Sequence, residues 1–379
     1  MIIKNGKVFG EDGQFRIGNV TIKDGKITDI SSRETFVETE NGQEEIDAEG
    51  LYVIPGFVDI HFHGCVGYDF CDGTKEAFDA ITDYQVKNGV TSISPATMTL
   101  ERAELSRIFE QAGKYPNQTG STIRGITMEG PFVSKAKKGA QNGAYIHKPD
   151  VDFYRQMQSL CGNLIRQVAV APEEDEDYAF IEEISKETVI SVAHTTADYD
   201  IAKGAFERGA SHVTHLFNAM PAFGHRDPGV VGAAFDDEKV FVELICDGVH
   251  IHPSMVRSMF RLFGADRICM ISDSMMATGM PDGNYSLGGQ AVSVTGKKAT
   301  LADGTIAGSA SNLYDCFKVA VQEMEIPLEW AVTASTLTPA KSLGFDGECG
   351  SITVGKNADI VLLDKALNIK HVIKDGVLR

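Results

Sequence analysis

Short apolar or β-branched runs alternate with helix-period segments through the middle of the chain. The runs fall at 57–62, 90–95, 124–129, 166–171, 188–194, 212–217, 240–246 and 267–273. Helical periodicity separates them, over Thr74 to Lys87, Leu100 to Lys114, Pro149 to Leu160, Asp175 to Ser185, Tyr199 to Arg208 and Pro253 to Phe263. Eight strands joined by crossover segments predict an α/β fold, a (β/α)8 TIM-like barrel. The open doubly wound sheet is the alternative, but its G-x-G-x-x-G turn after the first strand is absent. The two ends of the chain read differently. Residues 1–53 hold short strand patterns with Asn5-Gly6 and Asp24-Gly25 as hairpin signals, and the last segment repeats them around Asp375-Gly376. Lys-Asn-Gly-Lys, Lys-Asp-Gly-Lys and Lys-Asp-Gly-Val recur at both ends. This predicts a small β-sandwich built from 1–53 and 345–379, with the barrel, 54–344, inserted into it. From Gly279 to Gly308 the chain turns Gly-rich and strand-like again, an insertion expected to cover the site, before helices at Asn312 to Glu325 and Pro327 to Ser335.

Composition narrows the partners. The 379 residues are 43% hydrophobic and 23% charged, ordinary for a globular protein. A formal charge of −18 argues against nucleic acid or an anionic membrane as a partner. An anionic small substrate would need local cations set against that field. The seven cysteines form no C-x-x-C pair and read as reduced and buried, and the chain opens in a strand pattern with no signal segment or membrane-length apolar run. The expected compartment is the cytoplasm.

Candidate chemistry clusters at the predicted strand ends, where a barrel of this type builds its site. The first run ends in His61-Phe62-His63, whose alternate side chains would share a strand face and make half a metal site. The third ends in Glu129-Gly130-Pro131, the fifth in His194, the sixth in His215, the seventh in Asp247-Gly248-Val249-His250 and the eighth in Asp273-Ser274. Each alone has a bland explanation: a hydrogen-bonded strand-end histidine, a turn-orienting Glu129, a helix cap at Asp273. Together they exceed what chance places there. His212 is read as structural, because it would face away from His215, and His147, His225, His252 and His371 as solvated. Imidazoles with one carboxylate hold Zn²⁺ or Fe²⁺ and leave an open position where water is acidified. A second carboxylate, Asp273, is placed to carry the proton to a leaving amine. The pattern predicts metal-assisted hydrolysis.

The run Pro55 to Gly64 (Pro-Gly-Phe-Val-Asp-Ile-His-Phe-His-Gly), the strand-end histidines and Asp273 resemble the amidohydrolase superfamily, whose split β-sandwich and barrel match this layout. Within it, Met128-Glu129-Gly130-Pro131-Phe132, Thr214 to Met220, Arg226-Asp227-Pro228-Gly229, Asp247 to His250 and Ile306 to Ala310 are similar to deacetylases of 6-phosphorylated N-acetyl amino sugars. The resemblance implies Glu129, His194 and His215 as main metal ligands, and His61 and His63 as a second-metal pair. One or two divalent ions, zinc or iron, would then sit in each subunit. It implies Asp273 as general acid/base, Asn218 and Ala219 as sugar-phosphate contacts, Arg226 and His250 as groups that hold the phosphate and polarise the amide carbonyl, and Ile306, Ala307 and Gly308 as a substrate-lining turn. It also implies a homodimer, with the arginine reaching across the interface. One bidentate guanidinium on a phosphate outweighs a distant net charge. The implied reaction is hydrolysis of N-acetylglucosamine 6-phosphate to glucosamine 6-phosphate and acetate. One departure keeps the galacto epimer open: Ala140-Gln141-Asn142 stands where the family commonly has histidine before the asparagine, and Gln141 can hydrogen-bond a sugar or phosphate oxygen but carries no charge. Cyclic-amide hydrolases, which bridge their metals with a carboxylated lysine, are disfavoured because no lysine stands at a predicted strand end. A non-catalytic scaffold predicts gaps among the ligands, and the main positions show none.

Overall fold

The computed structural model describes residues 1–32 and 44–379. All eight apolar runs form strands, generally shorter than the pattern predicts: Phe57–Asp59, Val90–Ile93, Ile126–Met128, Ile165–Val170, Val189–Val192, His212–Val213, Phe241–Ile245 and Ile268–Ile271. Their pairings are all parallel. Strands covered on both faces need no alternation, which is why they read as continuous apolar runs. They end early because several residues just beyond them adopt positive φ, which takes the backbone off the ladder.

The first two strands and Thr122–Ile123 form one sheet, and the third to eighth form another. Thr122–Ile123, just ahead of the predicted run 124–129, pairs with the second strand and Ile126–Met128, inside it, with the fourth, and a parallel bridge joins Ala96 to Thr127. At the far edge, Asp273 N–H donates to the His61 carbonyl at 3.0 Å and the Ser272 hydroxyl to the Asp59 carboxylate at 2.5 Å. The parallel sheet therefore curls until the end of its eighth strand meets the end of its first. Helices pack outside it through one apolar face each. Pro253–Phe263 buries Val256, Met259, Phe260 and Phe263, starts with Pro253 in its first turn, and is capped by His252. Thr74, Asp150, Asp198 and Asn312 cap four others through side-chain oxygens. Helices Gly229–Asp236 and Leu337–Ser342 go unpredicted: the first is nearly all buried Gly, Ala and Val, and the second holds Pro339, so neither shows an amphipathic period.

Strands from both chain ends share one further sheet, in the order Val377–Leu378, Ile369–Lys374, Ile360–Leu363, Tyr52–Pro55, Ile2–Phe9, Phe15–Lys23, Lys26–Ser32, with Glu45–Asp47 also on Ile2–Phe9. Residues 33–43 of the predicted N-terminal module lie outside the described residues. Asp24-Gly25 and Asp375-Gly376 make the expected tight turns, with φ of 50° and 75° in each. Asn5-Gly6 does not: it sits inside strand Ile2–Phe9 at a register shift, with Asn5 at φ 61° and its N–H on the Asn19 side chain at 3.0 Å. Tolerance of positive φ serves a bulge as well as a hairpin, so the dipeptide alone does not say which. The Gly-rich insertion forms its own antiparallel sheet, Gly283–Leu287, Gln290–Thr295 and Lys298–Thr300. Among the described residues no helix is long and apolar enough to cross a membrane.

Candidate active site

Strand ends deliver the polar side chains. His61, His194, His215 and Asp273 each stand two positions past the last residue of their strand, and Glu129 one. At His194, His215 and Asp273 φ is 44°, 28° and 48°, a region that costs an L-residue on the order of 1–3 kcal/mol. That cost swings each side chain off the ladder and into one shared space. His61 and His63 reach it differently from the prediction: the strand stops at Asp59, so they belong to the following loop and not to one strand face. Their rings still meet, edge to face, with centroids 5.7 Å apart.

Glu129 is the centre. Its Oε1 lies 3.0 Å from His194 Nε2, 3.1 Å from His215 Nε2 and 3.5 Å from His61 Nε2. Its Oε2 lies 3.3 Å from His63 Nε2, and His63 Nε2 is 3.3 Å from Asp273 Oδ1. The donors fall into two groups, His61, His63 and Asp273, and Glu129, His194 and His215, each with ligand atoms within 4.8 Å of one another. Two observations test whether these atoms suit a cation. His61 Nε2 is buried with no hydrogen-bond partner, and the Nε2 atoms of His194 and His215 face each other at 3.2 Å. His194 Nδ1 lies 2.9 Å from the Lys137 carbonyl, which can only accept, so a neutral ring keeps its lone pair on Nε2. Lone pairs and carboxylates packed together in a dry space repel unless a positive charge joins them. The nitrogen and oxygen donors fit a divalent metal such as zinc or iron.

The electrostatics agree. Burial alone would raise the Glu129 carboxyl, but the charge on His61 and hydrogen bonds from the imidazoles hold it well below the usual range. Burial would lower His63, yet Asp273 and Glu129 push it up to about 10, and Asp273 is lowered in return, burial notwithstanding, by His63. Protons on His61 and His63, retained because of these carboxylates, do the balancing that a cation would do, and ligation would displace them.

An open cleft lies above. Ala140, Gln141, Asn218, Ala219, His250, Ile306 and Gly308 line it together with His63, Glu129, His194, His215 and Asp273. Ala307 does not; it is buried behind, its N–H on the Ala299 carbonyl. Arg226 is exposed and lines a separate groove with Tyr199 and Pro228, so one chain does not bring it to its own cleft. Gln141 also departs from expectation. Its amide is 2% exposed and turned inward, the nitrogen donating to Glu129 Oε2 and the oxygen accepting the Thr99 N–H, both at 2.7 Å. His250 is aimed by Asp247, whose carboxylate takes its Nδ1–H at 2.8 Å and also caps the backbone of Val249 and His250. Burial would lower the His250 ring, and Asp247 raises it above its ordinary value. The insertion does cover the site: Gln290 donates to the Ala140 carbonyl, and Leu287 lines the cleft.

Sequence reading passed over two residues. Lys137 lines the cleft and donates to the Met220 carbonyl at 3.3 Å; Lys-Lys pairs in a loop look solvated. Glu243 lies inside strand Phe241–Ile245 and contacts His61 at 3.0 Å; the signal available was one carboxylate in the apolar run Phe-Val-Glu-Leu-Ile.

Comparison with known proteins follows the same lines. The model of the amidohydrolase family matches residues 52–379. N-acetylglucosamine-6-phosphate deacetylase of Lysinibacillus sphaericus is 36% identical, over 100% of this chain and 97% of its own length. N-acetylgalactosamine-6-phosphate deacetylase of Escherichia coli O157:H7 is 30% identical, over 100% and 98%. The solved structure of N-acetyl-D-glucosamine-6-phosphate deacetylase from Mycobacterium smegmatis, an aspartate-to-alanine mutant in complex with N-acetyl-D-glucosamine-6-phosphate, superposes with a TM-score of 0.92 at 30% identity, covering 100% of this chain and 98% of that one.

Proposed function

The chain belongs to the amidohydrolase family, and on that premise we propose that it is a metal-dependent deacetylase hydrolysing N-acetyl-D-glucosamine 6-phosphate to D-glucosamine 6-phosphate and acetate. One observation carries the chemistry: four imidazole Nε2 atoms converge within 3.5 Å of the Glu129 carboxylate at the floor of a cleft, with Asp273 3.3 Å from one of them. Glu129, His194 and His215 would hold one ion and His61 with His63 a second; zinc and iron both suit the donors. When bound, the metal polarises the amide carbonyl and acidifies water at its open position.

The remaining work falls to the chain. Asp273 takes a proton from the attacking water as the new C–O bond forms, then gives it to the nitrogen as the C–N bond breaks. His250, its Nδ1–H held by Asp247, which favours the protonated ring, has an Nε2–H left to donate to the amide oxygen as charge develops there. Asn218 and Ala219 line the cleft where the sugar phosphate would lie, and Lys137 lines the same cleft. Arg226 is exposed outside its own cleft, which supports a homodimer in which it serves the cleft of the other subunit. The same reading takes the curled parallel sheet as a closed (β/α)8 barrel over 54–344 and the terminal strands, 1–53 and 345–379, as the β-sandwich. The Asp273 to His61 and Ala96 to Thr127 contacts support closure. Seven buried free cysteines suit the reducing cytoplasm.

The galacto epimer is the second reading, favoured by the relative of that specificity. The inward turn of Gln141 removes the sequence argument for it, since an amide spent on Glu129 and Thr99 does not read the sugar. Acetate release from both 6-phosphorylated sugars, with metal analysis, tests the proposal. The gluco sugar is expected to have the higher kcat/KM; a galacto preference reverses the assignment. Asp273→Asn should lower kcat on the order of 10²–10⁴-fold while metal content holds. An unchanged rate in that variant would sink the mechanism.

A further inference from the structure

We propose that Glu243, which lines no part of the cleft, is a positioning residue that fixes the tautomer of His61 and the backbone of His215, and so couples the two ligand groups. The proposal rests on the metal-centre reading above. Glu243 is wholly buried in the seventh parallel strand, with donors around it. Its Oε2 accepts from His61 Nδ1 at 3.0 Å and from the backbone N–H of His215 at 3.1 Å. Its Oε1 accepts from Gln167 Nε2 at 2.8 Å and lies 3.5 Å from His212 Nδ1.

An ionised carboxylate only accepts hydrogen bonds. His61 must therefore carry its proton on Nδ1, which leaves the lone pair of a neutral ring on Nε2, the partnerless atom that faces Glu129. The other tautomer would turn an N–H toward the cation and two acceptors toward each other. Among the four imidazoles, only His61 and His194 have an acceptor on Nδ1; His63 and His215 have no partner there. His215 is constrained through its main chain instead. Its φ of 28° is unfavourable, and the N–H of that same residue is pinned to Glu243. One oxygen thus sets the ring state of a residue in one group and the backbone of a residue in the other. Carboxylates that orient metal-bound histidines from behind are a general device, and losing one typically costs 10- to 100-fold in metal affinity.

Two substitutions and one spectrum test this. Glu243→Leu fills the space without an acceptor. Glu243→Gln keeps an acceptor for His61 and His215 if Gln167 turns its amide to offer Oε1, an atom now without a partner. Zinc per chain is measured by elemental analysis after dialysis at limiting free zinc. Wild type is expected to hold about two ions and Glu243→Leu about one or fewer, with affinity about 10- to 100-fold weaker; Glu243→Gln should recover toward wild type. A folded Glu243→Leu that binds two ions with unchanged affinity overturns the proposal, and so does a Glu243→Gln that loses as much metal as Glu243→Leu. If Glu243→Leu does not fold, the imidazole ¹⁵N–¹H spectrum of zinc-loaded wild type decides, with His61→Gln identifying the signal: a proton on Nδ1 supports the assignment and one on Nε2 overturns it. A wild type that binds no zinc overturns the metal reading along with this one.

Discussion

Asp247 and His250 show how a residue acts through its neighbour. Their side chains meet at 2.8 Å, almost fully buried, and each shifts the other: against the effect of burial, His250 is raised by Asp247, with a smaller push from Asp273, and Asp247 is lowered by His250. A histidine raised on folding adds stability below its unfolded pKa, of about 6.5, and loses it as pH climbs through the folded value. A lowered aspartate adds stability above about 3.9 and loses it as pH falls through its folded value. The pair is therefore worth most at mildly acid pH, where both are charged. Asp247→Asn should lower the His250 pKa, seen by NMR titration, and reduce kcat/KM on the order of 10- to 100-fold. A His250 titration identical to wild type would show that Asp247 does not tune it. The candidate metal-site residues were legible in the sequence because each follows an apolar strand that gives no other reason for a His or Glu. Glu243 was not, since one carboxylate inside a strand reads as an ordinary outward-facing residue. The inward turn of Gln141 was illegible too: an amide donates and accepts equally, and nothing in the sequence says to whom.

Elements place these residues through loops with no slack. Gly64 follows His63 and pairs with Asp69 in a two-residue antiparallel ladder. A Cβ added there would lie 2.1 Å from the Tyr68 carbonyl oxygen and 3.0 Å from Asp69 Cα, both backbone atoms that cannot swing aside. Gly64→Ala must therefore move the loop that carries His63. A displacement of about 1 Å at a reacting centre can cost on the order of 100-fold in rate. The expected outcome is a kcat/KM lower by about that factor with metal content per chain reduced, read by acetate release and elemental analysis. Wild-type values for both would mean that the loop absorbs the methyl without moving His63. The existence of this loop's flanking strand was plain from the pattern, but its end was not. His61 and His63 prolong an apolar run as if the strand continued, and the sixth strand, expected over 212–217, stops at Val213 for the same reason. Candidate ligand residues at strand ends look like strand because the run around them stays apolar; the positive φ values that end several of the ladders leave no trace in residue type.

At the scale of the molecule, recurring Lys-Asn-Gly and Lys-Asp-Gly segments announced that the two ends of the chain belong together, and pairing of Tyr52–Pro55 with Ile360–Leu363 joins them. What the repeats hid is that their lysines differ. Lys23 is exposed, while Lys374, in the same Lys-Asp-Gly context, is 1% exposed and lies 3.1 Å from Asp359. Asp359 ties three regions. It pairs with Lys374 in the terminal sheet, sits 3.8 Å from Arg124 in the third run of the parallel sheet, and its carbonyl accepts the Gly56 N–H ahead of the first strand. Burial nonetheless raises the Asp359 carboxyl despite Lys374, so the surroundings do not repay the full cost of its charge. Such a pair adds little net stability, yet breaking one side of it is costly, about 3–5 kcal/mol, because Lys374 stays buried with only the exposed Asp375, at 2.6 Å, as a partner. Asp359→Ala should accordingly lower Tm by roughly 5 °C for a chain of this length. Asp359→Val combined with Lys374→Met, which removes both charges and keeps apolar volume, should recover most of that loss, since an apolar replacement of a buried ion pair is often neutral or stabilising. Melting curves of the single and double variants decide it. A double variant as unstable as Asp359→Ala would mean that the ion pair itself, not the avoidance of a poorly paired buried charge, stabilises the terminal sheet.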